Sequence, residues 1–215
     1  MPTIRIDDTA AVGQTPKPLG LDLAWSKQAK AAIKDILARY PKERSRSATI
    51  PLLHLAQREF GGWLSVDAMQ LVADTLNLPY IRVYEVATFY TMFNLKPVGK
   101  YHVQVCTNCA CMVRGSDAIV QAVKEQAKIG ELDDHHQGHS PCGTFTLTEV
   151  ECLGACVGAP MMQVTAQNGA SHYYTKLDAK QTKQILKDLK SKGVSELVDT
   201  PPADVDPISG GGYTS

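Results

Sequence analysis

Two closely spaced pairs of cysteines, about forty residues apart, most constrain what this chain can fold into. The first pair lies in Cys106-Thr-Asn-Cys-Ala-Cys111 and the second in Cys152-Leu-Gly-Ala-Cys156. Thiolates at such spacing can close on one metal ion, and two pairs supply the four sulfurs that structural zinc or an iron–sulfur cluster requires. The function of the chain is therefore expected to reside in these two segments.

The composition favours a cytoplasmic protein that uses its thiols chemically. Lys+Arg and Asp+Glu both number 22, so no net charge draws the chain towards nucleic acid or an anionic membrane surface. No apolar run approaches the roughly twenty residues that span a bilayer, and the first residues resemble neither a signal peptide nor a transit peptide. Because cytoplasmic thiols are kept reduced, six cysteines in 215 residues indicate metal ligands or redox groups.

The pattern of apolar residues predicts two domains between two extended ends. Residues 1–22 contain Pro and Gly without apolar periodicity, which indicates an extended N-terminal arm. Four amphipathic helices joined by short turns follow within residues 23–97, as is typical of a small helical bundle. A second domain covers residues 98–194. Residues 195–215, rich in Pro and Gly, are expected to form a flexible tail.

The second domain is predicted to be thioredoxin-like. Its pattern gives the order strand, helix, strand, strand, strand, helix; Ser116 is the expected cap of the first helix, and residues 128–143 form a polar loop. A strand–helix–strand unit needs parallel neighbours, and the closing hairpin adds an antiparallel pair. The sequence therefore predicts an α+β protein whose second domain has a mixed four-stranded sheet.

Spacing alone leaves three interpretations of the cysteines open. Two thiolates from each pair would bind a 2Fe-2S cluster, Cys106 and Cys109 with the second pair would bind zinc, or Cys106-Thr-Asn-Cys109 would be a redox dithiol. The dithiol leaves the second pair without a role. A cluster gives a role to the small residues of Leu153-Gly-Ala155, because they let backbone N–H groups approach sulfur and tune its potential. Spacing favours the cluster without deciding between Cys109 and Cys111.

Longer motifs around the cysteines resemble one family. They are Tyr101-His-Val-Gln-Val-Cys106, Cys111-Met-Val-Arg-Gly-Ser116, Glu149-Val-Glu-Cys-Leu-Gly-Ala-Cys156, Gly158-Ala-Pro-Met161 and, upstream, Tyr84-Glu-Val-Ala-Thr-Phe-Tyr-Thr-Met-Phe93. Together they resemble the thioredoxin-like 2Fe-2S subunit of respiratory NADH:quinone oxidoreductase, complex I. The resemblance covers roughly residues 25–192, and motifs of this length are more specific than a lone short pattern.

The resemblance implies a ligand set, a cofactor and partners. The family's C-x4-C and C-x3-C ligands fall on Cys106, Cys111, Cys152 and Cys156, around one 2Fe-2S cluster. The implied partners are a flavoprotein subunit that binds NADH and FMN, with whose FMN the cluster would exchange single electrons, and other subunits of the peripheral arm. The chain would then lie on the cytoplasmic side of the inner membrane, held there by its complex.

Two alternative functions stay open. Relatives of the same family serve in NAD-linked hydrogenases and formate dehydrogenases, which would change the host complex and keep the cluster. A zinc-binding structural or interaction module is the alternative from another class. No Gly-rich phosphate fingerprint follows a strand and no nucleophile is paired with a base, so substrate chemistry is expected on another polypeptide.

Three features near these motifs call for separate expectations. Cys109 departs from the family, which often has small hydroxyl residues and a proline there, and we expect a buried, inert thiol. Pro160 precedes a strand after the second cysteine pair, where the thioredoxin fold typically has a cis-proline. The aromatic side chains of Tyr84–Phe93 recur at helical spacing, which is more typical of core than of a docking surface.

The loop at residues 128–143 contains a second set of possible metal ligands. His135, His136, His139 and Cys142 have a spacing that would suit a transition metal. Loops collect polar residues freely, however, and nothing nearby adds chemistry. We therefore expect a solvated insertion rather than a metal site.

Overall fold

Two compact units make up the chain. The computed structural model describes residues 17–193, so the tail predicted at residues 195–215 and the first sixteen residues of the predicted arm lie outside the described residues. The first unit extends to Val98 and includes Gln167–Gly169, and the second comprises Gly99–Ala166 and resumes at Ala170. No helix in the described part is long and apolar enough to cross a bilayer.

The first unit is helical, as the sequence predicts. Its elements are α1 (Lys27–Leu37), a 3₁₀ segment (Lys42–Ala48), α2 (Thr49–Glu59), α3 (Val66–Leu76) and α4 (Tyr80–Phe89). Side chains cap two of the helices: Ser26 Oγ accepts from the N–H of Ala29 at 3.1 Å, and Ser65 Oγ accepts from that of Ala68 at 3.0 Å. Asn77 then ends α3 in the left-handed conformation, at a φ of 52°.

The aromatic stripe of α4 divides between core and surface. Phe93 is buried with the helical core, as expected, whereas Phe89 is 76% exposed and Tyr90 is 38% exposed. The helix ends at Phe89, and Tyr90 has extended backbone angles. The helical spacing that predicts one buried face therefore stops before the stripe does.

The second unit contains a mixed sheet. Its elements are β1 (Tyr101–Cys106), α5 (Cys109–Val113), α6 (Ser116–Ala127), β2 (Gln137–His139), β3 (Phe145–Val150), a 3₁₀ turn (Cys156–Gly158), β4 (Met162–Ala166), β5 (Ser171–Tyr174) and α7 (Ala179–Lys192). The strand order is β2-β3-β1-β4-β5. β1 runs parallel to β3, and the other neighbouring pairs are antiparallel. The thioredoxin-like arrangement is therefore as predicted.

The sheet has five strands, so the predicted count of four is wrong. The additional strand, β2, lies in the segment predicted as a polar loop and pairs with β3. At three residues it is too short to show alternation in the sequence. Asp133 Oδ1 accepts from the N–H of Gln137 at 2.9 Å, and a Cβ on Gly138 would lie 2.6 Å from Ile129 Cγ2. Local hydrogen bonding and a required glycine thus form this strand.

The two faces of the sheet differ in polarity. Apolar side chains of β1, β3 and β4 form one buried core with α6 and α7. His102 lies on the opposite face, is 6% exposed, and its Nε2 is 2.8 Å from Thr148 Oγ1. Burial, and then the neighbouring His139, lower the pKa of His102 to about 4. The folded chain therefore holds this imidazole neutral at pH values where an unfolded chain would protonate it.

We expect His102 to make the apoprotein sensitive to acid. Its contribution to stability is fully present above the ordinary histidine pKa of about 6.5 and is lost as the pH falls towards about 4, because only the unfolded chain binds the proton there. Between pH 7.5 and 4.5 this loss amounts to about 2–3 kcal/mol. Urea unfolding of wild type and His102→Gln at both pH values measures it. An equal pH dependence in the two proteins would contradict the assignment.

Candidate metal centre

The first cysteine pair lies where β1 leaves the sheet. Cys106 is the last residue of β1, and Cys111 lies in α5; the two side chains are 2% and 1% exposed. Asn108 starts α5 through its side chain, because Oδ1 accepts from the N–H of Cys109 at 2.6 Å. A strand end followed by a capped helix thus places two thiols in a dry environment.

The second pair follows the parallel neighbour of β1. Cys106 is in register with Val150, the last residue of β3, so the chain beyond Val150 emerges beside the first pair. Cys106 Sγ lies 3.1 Å from the carbonyl oxygen of Glu151, and Cys152 Sγ lies 3.7 Å from Cys156 Sγ. Both cysteines of the second pair are exposed. Parallel pairing thus brings one buried pair and one exposed pair to the same edge of the sheet.

Gly154 shapes the loop between the second two thiols. Its φ of +80° lies in the left-handed region, which a glycine adopts without strain. Its N–H donates to Cys152 Sγ at an N-to-S distance of 3.4 Å. A backbone donor at sulfur stabilises negative charge there, which agrees with the role proposed for the small residues of Leu153-Gly-Ala155.

The thiols influence one another electrostatically. Burial first, then a hydrogen bond with Cys106, raises the pKa of Cys111 to about 11. The pKa of Cys156 is raised chiefly by its hydrogen bond with Cys152, with further contributions that include the charge of Cys106. Each pair therefore opposes ionisation of the other. Four crowded sulfurs that resist negative charge fit a cationic metal group, which stabilises thiolates.

The same arrangement leaves the ligand set a prediction. Within residues 17–193, no group of three or more His, Cys, Asp or Glu side chains is arranged to hold a metal ion. The donor chemistry and the meeting of the pairs fit a cluster with two thiolates on each iron. The assignment of individual ligands is taken up below.

A tightly packed frame surrounds the thiols. Cys106 and Cys111 form a small apolar cluster with Ala159 and Met161. The peptide bond before Pro160 is cis, as predicted. Met161 also acts through its backbone, since its carbonyl oxygen accepts from the N–H of Cys106 at 3.2 Å. No side-chain pattern reveals such a contact; only the position after the cis-proline of the thioredoxin fold would have pointed to it.

Cys109 differs from its expectation. It is exposed rather than buried, and it is the first residue of α5. Two residues separate it from buried Cys111, which corresponds to about 200° around a helix. The two sulfurs therefore lie on opposite sides of α5, and the side that faces the other cysteines belongs to Cys111.

The residues of the predicted loop do not form a metal centre in the part of the chain that the structure describes. His139 Nδ1 lies 2.9 Å from Thr146 Oγ1, and His136 sits in a turn with a φ of 55°. Cys142 Sγ lies 3.2 Å from Thr144 Oγ1, and hydrogen bonds with Thr144 lower the pKa of Cys142 to about 7. These side chains have separate local roles.

Close packing at Gly158 predicts a sensitive position next to the second pair. A Cβ there would lie 2.6 Å from Thr175 Cβ, which no side-chain rotation can relieve. We expect Gly158→Ala to lower the unfolding free energy of the apoprotein by about 1–3 kcal/mol and to reduce the iron retained after reconstitution. Denaturant unfolding and iron analysis measure both effects.

Gly130→Ala is the matched control for this substitution. A Cβ at Gly130 meets nothing within 4 Å, and its φ is not positive. Its unfolding free energy and iron content should equal those of the wild type. Equal behaviour of the two variants would show that the contact with Thr175 does not constrain the centre.

The fold and the thiols together define a class, namely thioredoxin-fold proteins with a cysteine-lined metal centre. Residues 33–190 match the family described as thioredoxin-like [2Fe-2S] ferredoxin. The chain belongs to this family. The resemblance noted in the sequence and the predicted 2Fe-2S cofactor are thereby confirmed, and the cluster prevails over zinc and the dithiol.

Relatives of known identity cover most of the chain. It is 46% identical over 170 residues to a subunit of the NADH-quinone oxidoreductase of Rickettsia bellii, across 79% of this chain and 96% of that protein. It is 47% identical over 173 residues to the subunit of the same name from Rickettsia prowazekii, across 79% and 92% of the two proteins.

A solved structure shares the fold. The crystal structure of an NAD+-reducing [NiFe]-hydrogenase in the air-oxidized state aligns with a TM-score of 0.55 and 16% sequence identity. The alignment covers 67% of this chain and 23% of the hydrogenase chain. At this identity the likeness supports the fold alone.

Proposed function

We propose that this chain is the electron-transfer subunit of an NADH–quinone oxidoreductase and holds one [2Fe-2S] cluster on Cys106, Cys111, Cys152 and Cys156. The observation that supports the ligand set is the meeting of the two pairs at the carboxyl ends of β1 and β3, where Cys106 Sγ lies 3.1 Å from the carbonyl oxygen of Glu151. The host is inferred from the two Rickettsia relatives, both named as subunits of this oxidoreductase.

The bound cluster would supply one-electron chemistry, and the chain's own residues would hold and tune it. Cys106 and Cys111 exclude water from one side of the centre because they are buried. Cys152 and Cys156 are exposed and present the other side to a partner. The N–H of Gly154 offsets negative charge on Cys152.

Substrate chemistry belongs to another subunit in this proposal. The sequence has no Gly-rich phosphate loop after a strand, which agrees with NADH and FMN being bound by a partner flavoprotein. The chain exchanges single electrons with that FMN. It lies on the cytoplasmic side of the inner membrane and is held there by the other subunits.

The proposed ligands can be tested one at a time. We expect the reduced wild-type protein to give the EPR signal of one [2Fe-2S] cluster, and Cys106→Ser, Cys111→Ser, Cys152→Ser and Cys156→Ser each to lose or alter it, because serine replaces a thiolate ligand. Iron and sulfide analysis and EPR spectroscopy measure the outcome.

Cys109→Ser and Cys142→Ser are the matched controls, since both thiols are exposed. Each should leave the EPR signal unchanged. Loss of the signal in Cys109→Ser would overturn the choice of Cys111, and a colourless wild-type protein containing zinc would overturn the cluster.

The host complex needs a separate experiment. A tagged copy of the chain, isolated from its own cells, should copurify with an FMN-containing subunit and with NADH–quinone reductase activity in the membrane fraction. Copurification with hydrogenase or formate dehydrogenase activity would favour the alternative hosts. Either result leaves the ligand experiment independent.

A further inference from the structure

Ser116 has a buried hydroxyl without a partner. The residue is 0% exposed, and its Oγ makes no hydrogen bond. Buried hydroxyl groups are almost always paired, because an unpaired one loses its hydration without compensation. The orphaned group therefore indicates a partner that belongs to the centre rather than to the polypeptide.

The usual role of a serine at a helix start does not apply here. The sequence predicts Ser116 as the cap of α6, but Gly115, with a φ of +90°, occupies that position. Ser116 is already the first helical residue, so its Oγ is not placed as a capping serine's would be. The expected cap is wrong because a glycine in the left-handed region starts the helix one residue earlier.

The position of Ser116 in the fold directs it towards the cysteines. On α6, Ser116 shares the buried face of Ile119, Val120 and Val123, which pack into the core under the sheet. The chain passes from Cys106 through α5 directly into α6, so the first turn of α6 lies at the carboxyl end of β1. The hydroxyl is thus at the end of the buried face nearest to the first cysteine pair.

We propose that the Ser116 hydroxyl donates a hydrogen bond to a sulfur of the cluster, either a thiolate of the first pair or a bridging sulfide. This inference rests on the proposed function, since it needs the cluster. Reduction adds negative charge that is shared by the sulfurs, so a donor at sulfur stabilises the reduced form more than the oxidised form. Ser116 therefore raises the reduction potential of the centre.

A redox titration of Ser116→Ala, followed by EPR, tests the assignment. The reduced form should lose about tenfold in relative stability, which for one electron is a shift of about 60 mV to a more negative potential. The unfolding free energy of the apoprotein should be unchanged or higher, because the variant removes an unpaired buried hydroxyl. Together these two results distinguish a partner on the cluster from one in the protein.

Ser140→Ala is the matched control. Ser140 is also buried, but its Oγ accepts from the N–H of Phe145 at 2.8 Å, at the opposite end of β3 from the cysteines. Its removal should destabilise the apoprotein and leave the potential unchanged. If Ser116→Ala behaves in the same way, its hydroxyl is paired within the protein and the inference is wrong.

Two further outcomes are decisive. If Ser116→Ala does not retain the cluster, Ser116→Thr, which keeps the hydroxyl, should retain it; loss in both variants would assign Ser116 to packing and overturn the inference. A wild-type protein without a [2Fe-2S] signal would overturn the proposed function itself. A normal wild-type signal with an unchanged potential in Ser116→Ala would overturn only the hydrogen bond.

Discussion

Parallel pairing of β1 with β3 is the constraint on which the centre depends. The register places Cys106 opposite Val150, so the second cysteine pair begins two residues beyond the point where its strand ends. Parallel strands cannot be joined by a tight turn, and the crossover formed by α5 and α6 satisfies that requirement. The same crossover supplies Cys111 from its first helix. One topological necessity thus positions both pairs, and a slip of one residue would turn Cys106 to the other face of the sheet.

The sequence predicts the elements whose patterns are long or chemically marked. The amphipathic helices, the cap at Ser65 and the cis-proline at position 160 follow from periodicity, hydrogen-bonding side chains and topology. It does not predict β2, because three residues leave no room for alternation. Nor does it predict the start of α6, where the left-handed conformation of Gly115 outcompetes the serine that follows.

The candidate site divides in a similar way. Spacing and resemblance point to the cysteines, since a thiolate ligand must appear in the sequence as a cysteine. Spacing cannot tell Cys109 from Cys111, because their difference arises from which side of α5 is packed. The orphaned hydroxyl of Ser116 is likewise visible only in three dimensions, where the absence of a partner can be observed. Burial decides what a list of donors leaves open.

The unequal burial of the two pairs gives the centre a direction of assembly. Cys152 and Cys156 face solvent, whereas Cys106 and Cys111 lie behind them in an apolar frame. Iron or a preformed cluster that arrives from solution meets the outer thiols first. The inner pair must then release its protons into a site that disfavours charge, as the pKa of Cys111 near 11 indicates. Loading of this protein is therefore a proton-releasing process that begins at its surface and is completed in its interior.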